Sequence, residues 1–207
     1  MEIRSEALPY VLPPALLAAA TASIGAPFAA LGALLATVAL GAFFRDPARS
    51  CEAPADAILA PADGVVVAVE RSPAGLEIAV FLSVLNVHVT RSPVAGRLIA
   101  CQRYTGNYQP AFRPAARHNA RYVLSVDTVF GKVEVAMIAG AVARRIHTWV
   151  KPPETLCRGQ RIGLIRFGSR TEVLLPPDTE AAVLVGDRVR AGMTIIARSS
   201  ASLNPSE

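Results

Sequence analysis

The pattern of apolar and polar positions changes once along this chain, near residue 45. From Ala7 to Phe44 there is no charged side chain, and the stretch divides into two apolar halves, Val11–Ile24 and Phe28–Phe44, around Gly25-Ala26-Pro27. Both halves are rich in Ala, and neither reaches the roughly 20 apolar residues of a full bilayer crossing. Beyond Phe43-Phe44-Arg45-Asp46-Pro47 the apolar residues come in short β-branched runs punctuated by Gly and Pro. That pattern predicts strands over Gly64–Glu70, Leu76–Leu82, Tyr122–Val126, Val133–Ala139 and Thr171–Leu175. The stretches beginning at Gly159 and Gly186 each read as turn, strand, turn, strand; after the linker Ala48–Ala57 at most one or two short helices are expected, and Pro114–Asn119 is the best candidate for one. The expected fold is mainly β (α+β). An antiparallel sandwich or barrel-like body over 48–207 follows an N-terminal apolar helical membrane segment over 1–47.

The apolar segment is too long for a signal peptide and carries Glu2 and Glu6 where a basic start belongs. A buried soluble hairpin needs a large partner surface. A membrane-embedded helical hairpin or a single tilted span fits better. Arg4 before the segment and Arg45 and Arg49 after it suit a hairpin whose ends both face the cytoplasm. The chain is therefore expected at the cytoplasmic face of the cell membrane.

The remaining composition narrows the chemistry. Net charge is +5 over 207 residues, and only Lys132 and Lys151 are not arginine among the basic side chains. Arginine's planar fork suits phosphate and carboxylate, which fits an anionic lipid surface. Aromatic residues are 6% and no basic stripe interleaves with them, which argues against nucleic acid. Cys51, Cys101 and Cys157 lack CxxC spacing, and His88, His118 and His147 are scattered, so neither a disulfide framework nor a metal site is expected.

Four segments carry possible chemistry. Asp63, in Pro61-Ala62-Asp63-Gly64, is by itself a turn former. His88 lies in an apolar, β-branched run that ends Arg91-Ser92-Pro93, where a histidine is often a satisfied core residue. The polar stretch from Tyr104 to Arg121, with Arg113, Arg117, His118 and Asn119, supplies many donors or is a solvated loop. The fourth is Phe167-Gly168-Ser169-Arg170. Gly-Ser is a common turn. A serine whose proton is taken by a histidine can also attack the preceding carbonyl, and glycine tolerates the strained backbone this requires. No Gly-x-Ser-x-Gly elbow is present, which disfavours an ordinary serine hydrolase.

Read in order, Phe43–Pro47, Pro61–Gly64, Phe81–Pro93, Gly106 through Asn119, Gly140–Ile146 and Gly163–Pro176 resemble the short-type, pyruvoyl-dependent phosphatidylserine decarboxylase proenzymes. The long branch of that family carries Leu-Gly-Ser-Thr at its self-cleaving step and a second histidine where this chain has Arg91. Phe167-Gly168-Ser169-Arg170 is the short-branch pattern.

The resemblance implies cleavage between Gly168 and Ser169, giving a large chain 1–168 and a small chain 169–207 that pair as a heterodimer, with higher assembly left open. Ser169 would become a pyruvoyl group that forms a Schiff base with the amine of phosphatidylserine, with no metal. His88 would move protons and Asp63 would orient it. Arg113, Arg117, His118 and Asn119 would hold the lipid phosphate. Whether His88 serves both processing and decarboxylation stays open, because Arg91 replaces the second histidine. A pyruvoyl enzyme for a soluble amino acid or S-adenosylmethionine gives no reason for the apolar segment. A relative acting on archaeal serine lipids shares the head group, and a membrane-anchored binding module predicts an uncut chain.

Overall fold

The computed structural model describes residues 2–141, 145–166 and 169–200 and divides into two compact units, Met1–Ala48 and Arg49–Glu207.

In the first unit the two apolar halves form a hairpin of α1 (Leu8–Ser23) and α2 (Pro27–Phe43). Proline in the first turn of each helix needs no hydrogen-bond donor there, and Gly25, at φ +75°, makes the reversal between them. The hairpin's ends are joined by β1 (Glu2–Ile3) and β2 (Arg45–Asp46), with the buried Asp46 carboxylate 3.8 Å from Arg4. Leu16, Phe28 and Leu35 are left exposed on it. No helix among the described residues is long and apolar enough to cross a membrane. At 1.5 Å per residue, the 17 residues of α2 reach about 25 Å against a hydrocarbon layer of about 30 Å. The single tilted span thus has no helix to carry it; the apolar segment is two short helices.

The second unit is almost entirely antiparallel β-structure. Its strands in chain order are β3 (Ala57–Leu59), β4 (Gly64–Ser72), β5 (Gly75–Leu82), β6 (Val89–Arg91), β7 (Gly96–Tyr104), β8 (Arg121–Thr128) and β9 (Gly131–Ile138). They continue with β10 (Ile146–Thr148), β11 (Glu154–Leu156), β12 (Arg161–Ile165), β13 (Ser169–Leu175), β14 (Thr179–Ala181), β15 (Arg188–Val189) and β16 (Ile195–Ser199). Eight of these form one sheet in the order β11-β7-β8-β9-β13-β5-β4-β15, and two small sheets are ordered β10-β12-β6 and β14-β16-β3.

Alternation along the strands decides the layering. Val66, Ile78, Val80, Leu124, Val126, Val133, Val135, Val173 and Leu175 share one face of the large sheet. They form a single core with Ile58, Ile162, Ile165 and Ile196 of the small sheets. The hairpin from β4 to β5 turns at Gly75, whose φ of +134° and whose approach to the Leu175 carbonyl exclude any side chain.

The five strands expected from the sequence appear as β4, β5, β8, β9 and β13; four of them run one to three residues longer, and β9 starts two residues earlier and ends at Ile138, one residue short of Ala139. Pro114–Asn119 is a 3-10 turn over Pro114–His118. Strand β7 is not among the expected strands; it alternates from the fully buried Leu98 to the exposed Ile99, and its register against β8 shifts between Leu98 and Ala100.

Candidate active site

Ser169 is the first residue of β13, a strand that is paired on both sides, with β5 and β9. It sits opposite Leu82, the last residue of β5, and shares its face with Thr171, Val173 and Leu175. That alternation turns the Ser169 hydroxyl inward. It is fully buried, and Oγ has no hydrogen-bond partner among the described residues, as is also true of Thr171 Oγ1. Leaving a buried hydroxyl unmatched costs about 1–3 kcal/mol, so such a group marks a site held ready for something other than packing. Gly168, the other half of the expected cleavage step, lies outside the described residues.

His88 is brought to the same region by topology. Strand β5 ends at Leu82, opposite Ser169, and the chain then crosses to β6 in the small sheet. Strand β12 pairs with β6, and the Ile165 N–H donates to the His88 carbonyl at 3.3 Å before the chain crosses to β13. The connection 83–87 thus leaves the large sheet at Leu82, opposite Ser169, and carries the chain to His88 beside the small sheet. This connection is a stapled turn. Asn86 Oδ1 accepts from the Ser83 N–H at 2.9 Å and the Ser83 hydroxyl at 2.7 Å, and the Asn86 N–H donates to the Ser83 carbonyl at 3.0 Å. The Asn86 carbonyl lies 2.9 Å from His88 Nδ1. A carbonyl can only accept, so in the neutral imidazole the proton sits on Nδ1 and the basic lone pair is on Nε2. His88 is fully buried.

Asp63 has a different set of partners from the one expected. Its two oxygens take a bidentate pair of bonds from Arg49, Nη1 to Oδ1 at 2.6 Å and Nη2 to Oδ2 at 2.8 Å. Oδ1 also accepts from the Ala191 N–H at 2.8 Å, and Arg49 Nη1 reaches the Ala191 carbonyl at 2.8 Å. The carboxylate orients a guanidinium and a turn; the group bonded to His88 Nδ1 is the Asn86 carbonyl. Asp63 still belongs to the site region. It directly precedes β4, whose Val65 pairs with Phe81, so it emerges at the end of the large sheet that holds Leu82 and Ser169. The backbones are close there: a Cβ on Gly64 would lie 2.0 Å from the Phe81 carbonyl oxygen. Arg49, read from sequence only as a flanking charge, becomes a site residue through a pairing that crosses a linker.

Among the expected phosphate donors, Asn119 is a buried staple. Its amide donates to the Gln109 and Ala139 carbonyls at 2.8 Å and accepts from the Gln109 N–H at 2.8 Å, which leaves no N–H for a ligand. Arg117 pairs with Glu70 at 3.6 Å, and Arg113 and His118 are exposed. Arg91, at the second-histidine position, is buried and donates to the Gly159 carbonyl at 3.1 Å. Among the described residues no group of His, Cys, Asp and Glu is placed to hold a metal ion.

The sequence of this chain is similar to those of known proteins. The family model for phosphatidylserine decarboxylase matches residues 38–197. A protein named phosphatidylserine decarboxylase proenzyme from Streptomyces griseus is 40% identical, with 96% of this chain and 94% of the relative covered. One of the same name from Burkholderia ambifaria is 45% identical over 75% of this chain and 76% of its own. A protein of Halobacterium salinarum named as a candidate archaetidylserine decarboxylase proenzyme is 40% identical over 91% and 95%. With the family model spanning the whole β-body up to β16 and relatives of this name aligned along most of the sequence, the chain belongs to the phosphatidylserine decarboxylase family.

Proposed function

We propose that this chain is a self-processing, pyruvoyl-dependent decarboxylase that converts phosphatidylserine to phosphatidylethanolamine and carbon dioxide at a membrane surface. The observation that carries the reading is the buried hydroxyl of Ser169, without a hydrogen-bond partner among the described residues, at the first position of a central strand.

Cleavage needs no outside reagent except water. Ser169 Oγ attacks the Gly168 carbonyl carbon; the new C–O bond replaces the C–N bond, and the hydroxyl proton passes to the freed amine. Loss of the Ser169 Cα proton expels the Gly168 carboxylate, and hydrolysis of the resulting dehydroalanine releases ammonia and leaves a pyruvoyl group. That group supplies a carbonyl that takes up the electron pair released when carbon dioxide leaves. His88 Nε2 is the proton carrier, its ring fixed by the Asn86 carbonyl at Nδ1. Asp63 acts through Arg49 and Ala191, holding the end of the sheet from which Ser169 starts.

The strand pairing beyond residue 169 supports this reading of a cut. The small chain 169–207 would keep β13 between β5 and β9, β15 on β4 and β16 on β3. Shared sheets hold the large chain 1–168 and the small chain together as a heterodimer.

Membrane attachment rests on two exposed apolar surfaces. One is the α1–α2 hairpin, short for a crossing and suited to lying within one leaflet at the cytoplasmic face of the cell membrane. The other is the tip of the 83–87 turn, where Val84 and Leu85 are exposed beside His88. Arg113, Arg117 and His118, all exposed, supply positive charge facing an anionic lipid surface. The Halobacterium relative supports a second reading, an archaeal serine lipid with the same head group.

Ser169→Ala tests the proposal. The variant stays uncut and releases no carbon dioxide from phosphatidylserine; decarboxylation retained in it contradicts the reading.

A further inference from the structure

At the same end of the large sheet, four arginines line one cavity of about 270 Å³: Arg103, Arg121, Arg145 and Arg166, together with His147. None of its described lining residues is acidic. Like charges converging on one cavity raise its positive potential, which draws an anion into it. Two of the guanidiniums are held by rings, which leave their charge intact: Arg103 lies 6.0 Å from the centre of Tyr122, and Arg121 lies 5.4 Å from that of Tyr104. Arg166 is carried by the connection leading to Ser169, and its N–H donates to the Arg145 carbonyl at 3.3 Å.

The register of β9 and β13 brings one wall of the cavity next to Ser169. Arg170 pairs with Ile138, so continuing that register by one residue puts Ala139, in the cavity wall, opposite Ser169. Adjacent strands are about 4.8 Å apart. In a phosphoserine head group the amine and the phosphorus are separated only by Cα, Cβ and the ester oxygen, a span close to one strand spacing. The Asn119 amide, bonded to the Ala139 carbonyl at 2.8 Å, fixes this wall.

We propose that this arginine cavity binds the phosphodiester of the lipid head group, placing the head-group amine at residue 169. The inference rests on Ser169 becoming the reactive carbonyl, and it assigns phosphate recognition to residues other than Arg113, Arg117, His118 and Asn119. Arginine forks match phosphate oxygens bidentately, which a lipid diester and inorganic phosphate both offer.

The chain's single tryptophan, Trp149, stacks edge-on against His147 with ring centres 6.3 Å apart, so its emission reports on the cavity without any turnover. The purified protein is titrated with glycerophosphoethanolamine, a soluble diester, and separately with inorganic phosphate. A saturable change with the diester is expected. In Arg103→Gln/Arg145→Gln the diester should bind on the order of tenfold more weakly and KM for phosphatidylserine should rise by a similar factor. Self-cleavage should continue in that variant, which shows that it folds. Unchanged titration and KM in the cleaved double variant overturn the proposal. Saturation by inorganic phosphate but not by the diester overturns the head-group assignment. Diester binding by a protein that is never cut supports the cavity while overturning the decarboxylase reading.

Discussion

Removing Arg49 tests how the end of the large sheet is held. The Arg49 and Asp63 side chains are only 5% and 13% exposed, and they make a bidentate pair backed by the Ala191 N–H. Breaking a buried pair from one side typically costs about 3–5 kcal/mol, because the remaining charge is stranded. Asp63 keeps the Ala191 N–H and some solvent, so Arg49→Met should fall at the lower end, about 3 kcal/mol. For a domain of this size that corresponds to a Tm lower by roughly 6–12 °C. The measurement is urea unfolding followed by Trp149 emission, in a Ser169→Ala background so that one uncut chain unfolds. Arg49→Met, Asp63→Leu and the double variant complete a cycle, and the two losses should be strongly non-additive, with a coupling of about 2 kcal/mol. A loss below about 1 kcal/mol for Arg49→Met, or additive losses, refutes the clamp. Self-cleavage in chains that keep Ser169 gives the functional counterpart. If Asp63 acts through Arg49, Arg49→Met and Asp63→Asn slow cutting alike. Cutting lost in Asp63→Asn but normal in Arg49→Met would show that the carboxylate acts on the chemistry directly.

Three further outcomes are expected. His88→Ala abolishes decarboxylation, and Asn86→Ala slows it about tenfold by releasing the 83–88 turn, whereas Asn86→Asp, which still accepts from Ser83, keeps most of the activity; equal loss in both Asn86 variants argues against positioning. Burial, and next the charge of Glu172, raise the Glu77 carboxyl above its ordinary value of 4.5, so folding favours its protonated form and loses stability as pH climbs from 4.5 through the folded-state value. Glu77→Gln should therefore raise Tm at pH 7 and give no gain below pH 4.5; a gain independent of pH contradicts this cause. Val84→Ser/Leu85→Ser should weaken sedimentation with phosphatidylserine vesicles by at least tenfold, since each exposed side chain contributes on the order of 1.5–3 kcal/mol when buried in lipid; unchanged sedimentation removes the turn from the membrane contact.

How much of this was legible in the sequence depended on the reach of each interaction. Strands β4, β5, β8, β9 and β13 show local alternation and could be read directly. Both apolar halves could be read as helices short of a bilayer crossing, and their ends at Ser23 and Phe43 come from the structure. Ser169 stood out because its neighbours and its chemistry are contiguous. The same holds for His88, but not for what holds it: a backbone carbonyl leaves no trace in residue identity. Asp63 looked like a partner for His88 because a carboxylate beside a histidine is a familiar pair. Its actual partners, Arg49 and Ala191, are 14 and 128 residues away in sequence and meet it only through the fold. The arginine cavity was hidden for the same reason, since its guanidiniums come from β7, β8 and the connections before β10 and after β12. For Asn119 the sequence shows an amide donor but not the two carbonyls that occupy it.

The intact mass of the purified, active protein tests the central claim most directly. The account predicts two species, residues 1–168 and 169–207. The smaller should be lighter by one ammonia than a peptide starting with serine, and it should be blocked to Edman sequencing. A single uncut chain that decarboxylates phosphatidylserine would contradict it.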